Sequence, residues 1–500
     1  MREVFVSVLM SFVLIGRGAG MSAERPRPNV ILVICDDLAH KAMGCYGDAL
    51  LDTPRLDRMA EQGARFDHCF VTDSLCSPSR AAILTGKYAH LNGVPDNWAD
   101  FDGSQPTLPK YLRRAGYQTA MIGKWHLHTE PTGFDHWQVL PGQGAYSNPQ
   151  FLTPAGKIRR SGYVTRVVTE DAIEWMRNGR DPGKPFYLQI GHKAPHSQWE
   201  YEQQYAGLFE GRRLPEPGTL NEDLSHRTPP LEHVETTLDP EGIWKYEKGW
   251  AARHGGPERI LPEGLNKARM RGWIYQRYVK DYLRTVASID DQMGRLLDYL
   301  DESGLGENTL VIFTSDQGYF LGEHGFYSKH LMYEQSFGTP LLMRYPGVIQ
   351  PGSVVDDLAM NIDFAPTVLD FAEVECPADM QGRSLRPLVD ASVDGGTWRE
   401  AVYYRYYHPG WGHTPHEGVR TDRYKLIRFM HPRSAPRKEY WELYDLQEDP
   451  DEMHNLYEEA SPELIQRLTR KLVELRRRYD VPEDNSDLLF NMGPKVPPLE

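Results

Sequence analysis

Short apolar runs rich in β-branched residues alternate along this chain with stretches of helical periodicity. Residues 29–34 are unbroken apolar sequence after Asn29, and 186–190 and 310–314 repeat the pattern, which is that of parallel strands covered on both faces. Residues 118–122 and 341–344 predict two more strands. Helical segments lie between them, among them 109–115 and a long one over about 271–300, so the order is that of an α/β domain. Beyond about residue 390 the pattern changes to strand pieces at 400–407, 418–429 and 439–446, which predict a small antiparallel sheet. A closing helix starts at Ser461 and Pro462 and carries Leu464, Leu468, Leu472, Leu475 and Tyr479 at helical spacing.

The predicted fold class is therefore α/β, with a large central, mostly parallel sheet flanked by helices over residues 24–390. A smaller C-terminal α+β subdomain built on a short antiparallel sheet, with the final helix, follows over 391–500. At 500 residues the chain exceeds one ordinary core, which suits this division. From 197 to about 266 the sequence turns polar, rich in Pro, Gly and charge. It reads as a long excursion from the sheet, either shaping access to a site or a tolerated surface insertion.

Residues 5–15 form an apolar stretch too short to span a bilayer, followed by small residues around 18–23. We read 1–23 as an export signal, which predicts a periplasmic or extracellular protein. No later segment has transmembrane character. The net charge of −14 argues against a broad nucleic-acid-binding face but leaves room for a few cations in an anion pocket. The five cysteines, Cys35, Cys45, Cys69, Cys76 and Cys376, include no C-x-x-C pair, which excludes a zinc ribbon and a disulfide scaffold. Spacing leaves a Cys45–Cys69 pairing open.

The predicted strands end in polar groups: Asp36-Asp37 after the first, Asp316-Gln317 after 310–314, Lys124 and His126 after 118–122, and His196 after 186–190. Open α/β sheets bind ligands beyond these carboxyl ends. Grouped carboxylates call for a cation, and a hard ion such as Ca²⁺ takes oxygen ligands, so the two acidic pairs predict a metal site. The run Cys76-Ser77-Pro78-Ser79-Arg80 leads through Leu84-Thr85 to Gly86. With Ser77 as N-cap, Pro78 at the first helical position and Gly86 as terminator, Cys76 would stand just outside a helix N-terminus, where an anion docks.

This run resembles the signature of the type I, formylglycine-dependent sulfatases of the alkaline phosphatase superfamily, in which the cysteine is converted after translation to formylglycine. The resemblance runs from Arg27 to about Tyr457. It implies one Ca²⁺ per chain, held by Asp36, Asp37, Asp316, Gln317 and the modified Cys76, although many relatives have Asn where Gln317 stands. It implies that Arg80 stabilises the aldehyde hydrate, and that Lys124 and His126, within Gly123-Lys124-Trp125-His126, contact the hydrate and the sulfate. It further implies that His196 and Lys329 act on the leaving alcohol. The implied reaction is attack of the hydrate on sulfur, release of the alcohol, and collapse to aldehyde and free sulfate. A formylglycine-generating maturase is the implied partner.

Segments 142–149, 403–407 and 416–420 look like those of bacterial glycan sulfatases, some acting on 6-O-sulfated N-acetylglucosamine. On that likeness Tyr146, Asn148, His416 and Arg420 are candidate sugar contacts, beside Lys124, His196 and Lys329. The expected function is removal of sulfate from a sulfated carbohydrate. Two alternatives stand beside it: a phosphonate monoester or phosphodiester hydrolase of the same superfamily, and a non-catalytic carbohydrate-binding relative.

Overall fold

Strand β1 (Asn29–Asp36) is buried along both faces, and apolar neighbours pair on each side of it. These coordinates are a computed structural model that describes residues 25–47, 50–253, 264–394, 396–430 and 438–482. The N-terminal segment read as an export signal lies outside the described residues. The other strands of the main sheet are β2 (Ala64–Phe66), β3 (Gln118–Lys124), β4 (His136–Leu140), β5 (Gln150–Thr153) and β6 (Gly156–Arg159). They are followed by β7 (Phe186–Pro195), β8 (Thr309–Ser315), β9 (Leu341–Arg344) and β10 (Ser353–Val355).

Ten strands are ordered β10-β2-β9-β8-β1-β7-β3-β4-β5-β6. The central run β8-β1-β7-β3-β4 is parallel throughout, which sends all its carboxyl ends to one edge of the sheet. Antiparallel pairs flank it, β9 with β8 on one side and β5 with β4 on the other. Helices pack on both faces, among them α1 (Cys76–Thr85) and the 36-residue α2 (Lys267–Glu302).

Two strand expectations change. The run read as 186–190 continues to Pro195, because Gly191, His192 and Lys193 stay in the sheet although polar or small. The single strand read over 418–429 is a hairpin of β12 (His416–Thr421) and β13 (Tyr424–Met430), between β11 (Ala401–Tyr406) and β14 (Glu439–Asp445). Its turn carries neither Gly nor Pro; it closes through Tyr424 N–H donating to Thr421 Oγ1 at 2.9 Å. The final helix, α3 (Pro462–Arg478), is capped by Ser461 as expected and buries Leu468, Leu472 and Leu475. One apolar cluster joins this C-terminal sheet to Leu75 and Ala82 of the Cys76 region.

The polar excursion from residue 197 is anchored, not loosely appended. Trp199 and Trp250 are fully buried, and Trp199 packs against Tyr278 of α2 with ring centroids 4.7 Å apart. His324, whose Nδ1 lies 2.6 Å from Glu222, ties the excursion to the loop after β8. All five cysteines are free thiols, so Cys45 and Cys69 do not pair.

Candidate active site

The parallel register brings four strand ends together. Asp36 ends β1, Asp316 follows β8 with its N–H bonded to Cys35 O at 3.0 Å, Pro195 of β7 lies level with Asp36, and Lys124 ends β3. Gly123 is required just before Lys124. Its φ is +103°, and a Cβ there would run into the Gly191 backbone of β7. Asp37 (φ 71°) and His126 (φ 55°) are non-glycine residues in the left-handed region, strain of the kind that gathers at functional sites.

Helix α1 starts two residues earlier than the sequence suggests. Leu75, extended at φ −146°, is the N-cap, and Cys76 is the first helical residue. Ser77 does not cap, because its hydroxyl donates to His126 O at 2.7 Å. The free N–H of Ser77 is taken instead by Asn97 Oδ1 at 2.9 Å. Pro78 falls within the first turn, where its missing N–H costs nothing. Gly86 terminates the helix at φ 67°, as read.

Around Cys76 the predicted residues converge. Its Sγ donates to Asp36 Oδ1 at 3.4 Å, and lies 3.3 Å from Lys329 Nζ and 3.6 Å from Gln317 Nε2. Lys124 Nζ pairs with Asp36 Oδ2, and Lys329 Nζ with Asp37 Oδ1. Arg80 places Nε 3.0 Å from Asp316 Oδ2 and donates from Nη1 to Lys124 O at 3.0 Å. His196 Nε2 stands 3.8 Å from Asp37 Oδ2, while its Nδ1 lies 3.0 Å from Ser197 O. His126 Nε2 lies 3.3 Å from Gln143 Nε2, and its buried Nδ1 has no partner.

Burial and charge divide these groups. Burial pushes the carboxyl of Asp316 up to about 8, helped by Asp36, and raises Asp37. In Asp36, burial is overcome by Lys124, His196, Arg80 and Lys329, which hold it well below the usual range. Burial drives His126 and His196 down, so both imidazoles are neutral at physiological pH. It also raises the Cys76 thiol, which is therefore no thiolate at neutral pH.

The donor set fits a hard cation. Carboxylate oxygens of Asp36, Asp37 and Asp316 lie within 4.8 Å of one another and all three residues are buried. Gln317 adds a buried Oε1 that has no hydrogen-bond partner. Three carboxylates crowded in a low-dielectric site, beside an oxygen with no donor among the described residues, supply part of the all-oxygen shell such an ion takes.

The sugar-contact candidates fare differently. Tyr146 is buried and spends its hydroxyl on His196 O at 2.5 Å, which makes it a support for that imidazole. Asn148 is exposed and accepts from Gly162 N–H at 3.0 Å, holding its own loop. His416 is 0% exposed, packed between Tyr404, Tyr406 and Phe429. Arg420 is likewise buried, over Phe70 and 3.3 Å from Glu334. The two-residue period of β12 puts both side chains on its inner face.

Residues not singled out in the sequence also enter the site. Gln143 Oε1 accepts from Lys124 Nζ. Lys193, with its ammonium 4.7 Å from the Tyr146 ring centroid, is lowered to about 8 by burial and by Lys124. Glu247, from the excursion, is raised to about 7 by burial and accepts from Gln198 Nε2 at 2.9 Å. The position of Gln143, beside Gly142 and Gly144, and that of Lys193, in the polar run closing a strand, gave a sequence signal, whereas Glu247 gave none.

An α/β sheet whose carboxyl edge gathers a cysteine, a carboxylate triad and a set of lysines and histidines defines a hydrolase of anionic esters. A sulfatase family profile matches residues 28–374, and a profile for the C-terminal region of N-sulphoglucosamine sulphohydrolase matches 322–478. The chain is 40% identical to an N-acetylglucosamine-6-O-sulfatase of Bacteroides thetaiotaomicron, over 93% of this chain and 90% of that one. It is 27% identical to the human N-acetylglucosamine-6-sulfatase, over 91% and 86% of the two chains. A solved structure of a protein in complex with its substrate D-glucosamine-2-N,6-O-disulfate superposes with a TM-score of 0.84 at 39% identity, covering 91% of this chain and 99% of that one. The chain belongs to the sulfatase family and is an enzyme that hydrolyses sulfate esters.

Proposed function

We propose that this sulfatase removes the 6-O-sulfate from a glucosamine unit of a sulfated glycan, using formylglycine at position 76 and one Ca²⁺. The substrate class follows the activity named for the Bacteroides relative and the sugar bound in the similar solved structure. The observation that carries the chemistry is the gathering of Asp36, Lys329 and Gln317 within 3.6 Å of Cys76 Sγ, in a site that also holds Asp37 and Asp316.

Asp36, Asp37, Asp316 and Gln317, with the modified residue 76, are the proposed ligands of the cation. What the two additions supply is a hydrated aldehyde oxygen as nucleophile and a divalent charge that offsets the carboxylates and polarises sulfate oxygens. Arg80 stays on Asp316 and orients it. Lys124 and Lys329 then turn their ammonium groups to the sulfate, for which they are preorganised donors. His126, neutral and with an unpartnered Nδ1, is suited to accept a proton from the hydrate. His196, held by Tyr146 and Ser197, and Lys329 stand on the side of the leaving alcohol and stabilise its oxygen.

The proposed organisation keeps residues 24–390 as the catalytic domain and 391–500 as the C-terminal subdomain, a reading supported by the separate sheet of β11 to β14. Residues 1–23 direct export, and a maturase converts Cys76. Among the described residues no helix is long and apolar enough to cross a membrane.

The test is a panel of glucosamine, galactose and uronic acid derivatives sulfated at single positions, with an aryl phosphodiester as comparator, read by sulfate or phosphate release. Glucosamine-6-O-sulfate is expected to give the highest kcat/KM. A preference for another sulfate position or for the phosphodiester overturns the assignment.

A further inference from the structure

Trp98 is 45% exposed, the only aromatic among the exposed large hydrophobic side chains of the described residues. It is not a loose surface residue. Asp96 Oδ1 accepts from the N–H groups of both Trp98 and Ala99 at 2.8 Å, which fixes the turn that presents the indole. Its ring lies 4.4 Å from that of the buried His408, and 5.8 Å from that of Trp411 with planes 25° apart.

Two tethers fix this aromatic wall relative to the reacting centre. On one side, Asn97, the neighbour of Trp98, accepts from the N–H of Ser77, the residue after Cys76. On the other, Trp411 stacks on His330 at 4.8 Å and 15°, and His330 directly follows Lys329, whose ammonium reaches Cys76 Sγ. The wall therefore spans from the start of α1 to the loop carrying the cation assigned to the leaving alcohol. An ester held with its sulfur over residue 76 and its leaving oxygen near Lys329 has this wall within reach of its alcohol portion.

We propose that Trp98, backed by Trp411 and His408, receives the apolar face of the pyranose ring that carries the sulfate, and is a specificity-determining residue for a sugar over other sulfate esters. The proposal rests on the sulfated-sugar reading given above. A pyranose has one face of C–H groups that packs on an aromatic ring, while its hydroxyls remain free for polar partners. Ligand sites place such rings to fix orientation. A rigid, exposed indole next to an otherwise charged cup provides that surface.

The experiment compares wild type, Trp98→Phe and Trp98→Ala, all carrying converted Cys76 and Ca²⁺. Its readouts are kcat/KM for glucosamine-6-O-sulfate and the inhibition constant of inorganic sulfate, the product that occupies the cup without a sugar ring. Trp98→Ala is expected to lose about 10- to 100-fold in kcat/KM, the range that removal of an aromatic stacking platform costs. Trp98→Phe keeps most of the activity, and sulfate inhibition is unchanged in both. Sugar turnover in Trp98→Ala within twofold of wild type overturns the proposal, as does a parallel loss of sulfate binding, which would mark Trp98 as merely structural. Wild-type enzyme that hydrolyses aryl sulfates but no sulfated sugar would instead bring down the substrate reading, and this proposal with it.

Discussion

Lys329 Nζ stands 3.3 Å from Cys76 Sγ and pairs at the same time with Asp37 Oδ1, so one buried ammonium links residue 76 to the carboxylate cluster. Lys329→Ala is expected to lower kcat by about 10²- to 10⁴-fold, the scale of removing a positioned acid or charge-stabilising donor. Steady-state turnover of glucosamine-6-O-sulfate checks this. Because the change leaves Asp37 without its cation, the variant is also expected to depend more strongly on added Ca²⁺ for thermal stability.

The Ca²⁺ proposed at the carboxylate triad predicts that stability depends on a divalent ion. Chelation is expected to lower the melting temperature and Ca²⁺ to restore it, since a ligand at 100 times its Kd stabilises by about 2.7 kcal/mol. Asp316→Ala is expected to abolish the Ca²⁺ response in differential scanning fluorimetry, because it removes a member of the group within 4.8 Å.

Glu247 gives a pH dependence with a definite sign. Its folded-state carboxyl is raised to about 7, whereas in the unfolded chain it titrates near the ordinary value of about 4.3. Between these values the unfolded chain has released a proton that the folded protein still holds. This contribution to stability therefore falls as pH rises through the window and is fully lost above the folded value. Glu247→Gln removes the penalty. Its melting temperature is expected to exceed that of wild type at pH 8 and to match it near pH 4.

Burial raises the Cys76 thiol, so the unmodified side chain is a poor nucleophile. In protein made without a maturase, iodoacetamide at pH 7.5 is expected to alkylate the exposed Cys376 well before Cys76. Peptide mapping reads the two rates separately.

The polar cup was legible because each central strand is an apolar run that ends abruptly in charge, as Ile34 gives way to Asp36 and Thr314 to Asp316. Parallel pairing then dictates that such ends meet. Local capping was less legible: Ser77 and Pro78 have the sequence of a cap and first turn, but the Ser77 hydroxyl is claimed by His126 O, 49 residues away. The burial of His416 and Arg420 was not legible, because β12 packs these polar side chains against partners, Glu334 among them, that come from distant segments. Glu247 carries no local pattern at all, and Lys193 only its place in the polar end of a strand. Only the tertiary fold places them beside the cup, where burial shifts both.

The central claim is that residue 76, once converted, is the group on which desulfation turns. The direct measurement pairs the mass of the peptide containing residue 76 with sulfate release from glucosamine-6-O-sulfate, across preparations of graded maturation. Turnover is expected to rise in proportion to the fraction in which the CH₂–SH group has become CHO, and to vanish in Cys76→Ala. Sulfate release that persists while residue 76 remains a thiol, or that survives in Cys76→Ala, would contradict the account.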